Sequence, residues 1–152
     1  MSSTRFENDT SSSQFVLEKK LSQMPNNAKK VDLYLEMARN LYGHSPDEAL
    51  KYALEGRSLA ERLDYIEALG ELIPTIGVIW WYKSDFEKTI SHHNKALEIF
   101  RIVKNKKGTG SAYTGIGNVY ARKGEFNKAL DFYHKALAIH KSHAYQVGIA
   151  GS

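Results

Sequence analysis

The chain repeats itself. Offsetting the sequence by 40 residues lays ELIPTIGVIWWYKSDFEKTISHHNKALEIF over SAYTGIGNVYARKGEFNKALDFYHKALAIH. Gly70, Ile76, Gly77, Lys83, Phe86, Lys88, Lys95, Ala96, Leu97 and Ile99 meet identical residues at 110, 116, 117, 123, 126, 128, 135, 136, 137 and 139, with no gap. A period of this length means copies of one supersecondary unit, each able to bury its apolar face only against its neighbours. An earlier copy, VDLYLEMARNLYGHSPDEALKYALEGRSLAERL, aligns when one residue is dropped from its central loop, and a later one begins at Gly148.

Each unit divides into two helices. In the third copy Ala112, Tyr113, Ile116, Gly117, Val119 and Tyr120 recur at spacings of three and four, one stripe along a helix. Gly124 stops that helix, and a second stripe follows at Phe126, Ala129, Leu130, Tyr133, Ala136, Leu137 and His140. Ser45, Pro46 and Glu48 spell a capping box with proline at the first helical position. The helices expected are about 14–23, 29–42, 46–63, 66–82, 86–103, 108–122 and 126–141, with a stub from 145. No segment alternates with period two for long, so the fold class is all-α, an antiparallel helix-pair solenoid. Pro74 lies inside the first helix of the second unit, where a bend or irregular turn near 70–74 is expected. In that unit Thr89 stands for the small alanine, His93 for the aromatic and Ser84 for the turn glycine.

Gly117, with Gly77 and Ala38 at matching positions, is where one helix of a pair lets the other approach, and Ala129 and Ala136 do the same from the second helix. Phe126, Tyr133 and Leu137 are expected to fill the space beside them. GIGNVYARKGEFNKALDFYHKALAI is similar to the tetratricopeptide consensus of small, large and aromatic residues. The 40-residue spacing resembles the longer variant of kinesin light chains. KKVDLYLEMARNLYGHSPDEALKYALEGRSLAERL resembles the opening repeat of sensory arrays in bacterial histidine kinases and nucleotide cyclases. The resemblance implies a right-handed superhelix with a concave side. Residues 1–12 are expected to be a disordered tail and 13–152 one repeat domain. Within it lie an N-terminal helix at about 14–23, repeats at about 29–65, 66–107 and 108–147, and a truncated fourth at 148–152.

Composition narrows the function. With no cysteine there is no disulfide framework, thiolate zinc site or cysteine nucleophile. No apolar run approaches the roughly 18–20 residues of a membrane span. The polar N-terminus lacks the apolar stretch of a signal peptide. A cytoplasmic location is expected, a periplasmic one staying open if a leader was removed. Six histidines are too scattered to make a zinc site, and no cofactor is expected. GTGSAYTGIGNVY lacks the strand and the Gly-Lys-Ser/Thr ending of a phosphate loop. No nucleophile–base motif is present, and a groove is not a water-excluding pocket, so the chain is read as no enzyme.

The resemblance points instead to protein–protein interaction through the concave surface of the first helix of each unit. Carried onto this sequence, that surface comprises Arg39, Tyr42, Val78, Trp81, Tyr82, Ser111, Thr114, Asn118 and Arg122, with Asp32, Leu35, Glu71, Pro74 and Ala121 alongside. Asn118 can donate to and accept from a peptide bond. Arg39 and Arg122 can hold carboxylates, and Trp81 and Tyr82 offer rigid contact area. Residues 1–82 carry nine Lys or Arg against twelve Asp or Glu, a balance of −3, and residues 83–152 carry twelve against five, +7. That field favours an acidic peptide or protein partner. A nucleic-acid-binding module using the basic half, including KNKKG at 104–108, is the alternative, but aromatic–basic interleaving on one platform is not evident. The C-terminal face formed by Ala129, Phe132, Ala136 and Ile139 is too large for AYQVGIAGS to cover, which predicts a homodimer through that uncapped end.

Overall fold

The computed structural model describes residues 3–151, with side chains from residue 12 onward. Its elements are α1 (Ser3–Gln23), α2 (Ala28–Leu41), α3 (Pro46–Arg62), α4 (Ile66–Tyr82), α5 (Phe86–Ile102), α6 (Lys106–Arg122) and α7 (Phe126–Ala150). No strand occurs among the described residues. From α2 onward each helix packs on the next, and α4 also touches α2 and α6. The second helix of each unit therefore sits behind a row of first helices.

The turns explain this regularity. Asp64, Ser84, Lys104 and Gly124 have φ of 52°, 60°, 56° and 78°, one left-handed residue every twenty. After each, the next amide reaches back to close the helix: Tyr65 to the Ala60 carbonyl, Asp85 to Trp80, Asn105 to Phe100 and Glu125 to Tyr120, at 2.8–2.9 Å. This is the Schellman closure, which satisfies carbonyls that a helix end leaves open. The 40-residue repeat is thus two 20-residue steps, each a 17-residue helix and a three-residue turn over α4, α5 and α6. Asp85 and Asn105 then cap the following helix, accepting from the amides of Lys88 and Gly108 at 3.1 and 2.9 Å.

Several expectations need correction. Ser45 makes no side-chain cap bond, although Pro46 does occupy the first turn of α3. Glu48 instead accepts from the Gln14 amide of α1. α1 begins at Ser3, not 14, and so runs through most of the segment expected to be disordered. No Gly or Pro interrupts residues 3–23, and the helix is held on α3 by Gln14, by the Glu18 carboxylate accepting from the Tyr52 hydroxyl, and by buried Leu21. α4 passes through Pro74 without an irregular turn. The carbonyl that a proline ring would crowd belongs to Gly70, and buried Leu72, Ile73 and Ile76 hold the helix on both sides. α7 continues to Ala150, where a stop at 141 and a stub from 145 were expected. Twenty residues after Gly124 stands Ala144, a residue poorly suited to the left-handed turn.

The core lies between the two helix rows. Leu33, Met37, Ala38, Ala49, Tyr52, Ala53, Ile76 and Ile79 join the first unit to the second, and Ile73, Ala96, Phe100 and Ala112 join the second to the third. Ala129 and Ala136 are buried under α6, so they are not the open end face assigned to them above. Phe126 and Leu137, expected to fill the interior, are 66% and 50% exposed.

Candidate functional site

The row α2, α4, α6 borders a groove of about 640 Å³. Arg39 and Tyr42 reach it from the end of α2, Val78 from α4, and Ser111, Thr114 and Asn118 from α6. Glu71 and Pro74 also line it, as expected from the repeat register. These positions recur three or four residues apart, which keeps them on one face of each helix.

Trp81, Tyr82 and Arg122 are not part of that lining. They gather where α4 and α6 end. The Trp81 ring packs against Phe86 with centroids 5.5 Å apart, and the Arg122 guanidinium lies 5.9 Å above it. The Tyr82 ring lies 5.5 Å from Tyr42, so this cluster continues from the groove at one edge. Asp32 accepts from the Tyr65 hydroxyl at 3.2 Å, and Leu35 is a core residue.

The polar groups of the groove are partly committed. Arg39 Nη2 stands 3.8 Å from Glu71 Oε1, an exposed pair that a competing carboxylate can open at little cost. The Thr114 hydroxyl donates to the Gly110 carbonyl at 3.0 Å. Asn118 Oδ1 accepts from the Tyr133 hydroxyl at 2.7 Å, which turns the Asn118 amide nitrogen away from α7.

His93 and Phe100 of α5 supply a floor that the repeat register did not indicate. They reach it because α6 carries glycine where they touch. A β-carbon at Gly115 would fall 2.5 Å from His93 Nε2, and one at Gly108 would fall 2.7 Å from Phe100 Cε1. The glycines of GTGSAYTGIG were the available signal: besides Gly117, they mark helix–helix contacts. His93 is 5% exposed and its Nδ1 has no hydrogen-bond partner. Burial, with a smaller contribution from His92, pushes its pKa down to about 4. The floor is therefore neutral at pH 7, and the groove's charge comes from its rim, where Arg39 and Lys107 stand against Glu71. A second hollow of about 490 Å³ lies between α5 and α6, rimmed by Arg101, Lys104 and Lys106 over Leu97, Phe100 and Tyr113.

Among the described residues no group of three His, Asp or Glu could hold a metal ion, and no helix is long and apolar enough to cross a membrane.

Residues 75–142 match the tetratricopeptide-repeat family. No curated protein matches the sequence. The tetratricopeptide-repeat domain of Arabidopsis FLU aligns with 78% of this chain and 99% of its own length, at 20% identity and a TM-score of 0.70. MamA aligns over 93% of this chain and 94% of its own, at 20% identity and a TM-score of 0.44. The first of these shares the fold of the chain, and the helix pairs over residues 75–142 are tetratricopeptide repeats.

Proposed function

We propose that the groove bordered by α2, α4 and α6 binds an extended segment of a protein partner, with a preference for acidic side chains. The observation that carries this is the lining itself: apolar Tyr42, Pro74 and Val78 share one open trough with Arg39, Lys107, Asn118 and Glu71. Such a trough offers contact area to side chains and donors to backbone carbonyls and carboxylates. The net charge of the C-terminal half supports the acidic preference by speeding encounter. The resemblance of the first repeat to sensory arrays supports a role as a scaffold or sensory segment within a larger bacterial signalling protein. The edge cluster of Trp81, Tyr82 and Arg122 extends the same surface for a longer ligand.

Selection from a random-peptide library tests the reading. Peptides combining Asp or Glu with apolar residues are expected to be enriched, and Val78→Arg should abolish their binding while an exposed change on α3, such as Lys51→Ala, leaves it intact. Enrichment that is indifferent to Val78→Arg, or selection of nothing but single-stranded nucleic acid in a parallel screen, would reject it.

A further inference from the structure

The two turns that join one unit to the next carry opposite charge at matching positions. Glu61, Asp64 and Glu67 surround the α3–α4 turn, and 40 residues further on Arg101, Lys104 and Lys107 surround the α5–α6 turn. Over 61–67 the three acids stand against Arg62, a balance of −2, and over 101–107 the three bases are joined by Lys106, a balance of +4. All six matched residues are exposed, and Asp64 and Lys104 are the left-handed residues at the two turn tips.

Consecutive helices run antiparallel, so both of these turns lie on one edge of the solenoid. The α2–α3, α4–α5 and α6–α7 turns lie on the other. Charge is arranged differently on the two edges. On the second edge Lys83 pairs with Asp47, Lys88 with Asp85, and Lys123 and Lys128 with Glu125. On the first, Glu61 pairs only with Arg57, at 2.9 Å, and among the described residues none of Asp64, Glu67, Arg101, Lys104 and Lys107 enters an ion pair.

Apolar side chains stand among these charges. Leu63, Ile66, Ile102 and Val103 are exposed, Ile102 by 70%. A patch with apolar surface and unpaired charge of each sign in its own half is complementary to itself once one copy is turned end for end. A two-fold axis that crosses the edge from the groove side to the back, midway between the turns, makes that rotation. It sets the acidic turn of each copy against the basic turn of the other and keeps both grooves on the same side. Each acid then faces the base of its own register: Glu61 meets Arg101, Asp64 meets Lys104 and Glu67 meets Lys107, twice over.

We infer that this edge is a self-association surface, on which two copies of the chain dock turn to turn, in antiparallel order, as a closed dimer. The parallel order would set acid on acid and base on base, and like charges reject it. The pairs are exposed and the apolar area is small, so the dimer is weak and sensitive to salt. Lys107 also lines the α2–α4–α6 groove, but no peptide enters the test.

Sedimentation of charge-inverted variants at low salt, about 50 mM, tests the pairing. The unmodified protein should show a monomer–dimer equilibrium that about 500 mM salt moves at least about tenfold towards monomer. Glu61→Lys, Asp64→Lys and Glu67→Lys together make both turns basic. Arg101→Glu, Lys104→Glu and Lys107→Glu together make both acidic. Each variant alone should be monomeric and keep the parental circular dichroism, because every altered site is exposed. Mixed in equal amounts, the two should form a heterodimer, since every basic turn then faces an acidic one. Loss of fold in either variant could not produce that recovery. A parent that stays monomeric up to about 1 mM, a variant that dimerises alone as well as the parent, or a mixture that stays monomeric would overturn the inference.

Discussion

The Tyr133 ring of α7 lies across Gly117 of α6, and its hydroxyl donates to the neighbouring Asn118 in the groove. A β-carbon on Gly117 would sit 2.7 Å from Tyr133 Cε1 and 3.3 Å from the Ala129 carbonyl oxygen. One glycine thus serves both the packing of a helix pair and the orientation of a groove residue.

Gly117→Leu should therefore destabilise the fold by about 3 kcal/mol through overpacking, visible as a lower urea midpoint. Arg122→Ala, which loses the contact with the face of Trp81, should stay within about 0.5 kcal/mol of the parent. A leucine variant as stable as the parent would mean that α6 and α7 do not meet at Gly117.

The left-handed turn residues make a second prediction, of opposite signs at equivalent sites. Lys104 holds φ of 56° and Gly124 holds 78°. A β-carbon in that region costs about 1–2 kcal/mol. Lys104→Gly should raise stability by about 1 kcal/mol, and Gly124→Ala should lower it by a similar amount. Thermal melts of the two variants check this, and shifts of the same sign would contradict it.

His93 makes stability depend on pH. Its folded pKa of about 4 lies below the ordinary 6.5, so the unfolded chain takes up the proton first. The folded state is unaffected above pH 6.5, loses stability as pH falls from there towards 4, and loses no more from this group below that. The full loss is about 3 kcal/mol, an upper estimate for a group this buried. His93→Phe restores at this position the kind of ring that Tyr133 places over Gly117, and it should flatten urea-derived stability between pH 6.5 and 4.5. A slope unchanged by the substitution would place the titration elsewhere, first of all at His92, whose pKa burial also lowers.

The helices from α2 to α6 were legible because a repeat constrains the same residue types twice. Gly77 and Gly117, or Ala96 and Ala136, report one contact from two places. The ends were less legible. At Ala144 the repeat register calls for a turn, while the local backbone preference favours helix, and α7 runs on through it. α1 grew for the related reason that nothing in residues 3–23 stops it. Of the residues that register named, those from the middle of α4 and α6, such as Val78 and Thr114, line the groove. Trp81 and Arg122 turn towards each other where the helices end. The floor was hidden because His93 and Phe100 belong to α5, and only the glycines facing them on α6 let them through.

A partner peptide seated in the groove of the first helices is read out by amide-resolved NMR titration with a library-selected acidic peptide. The expected result is saturable shifts at Arg39, Val78, Ser111, Thr114 and Asn118 that vanish in Val78→Arg. Shifts confined to the outer faces of α3, α5 and α7, with those amides unmoved, would contradict the account.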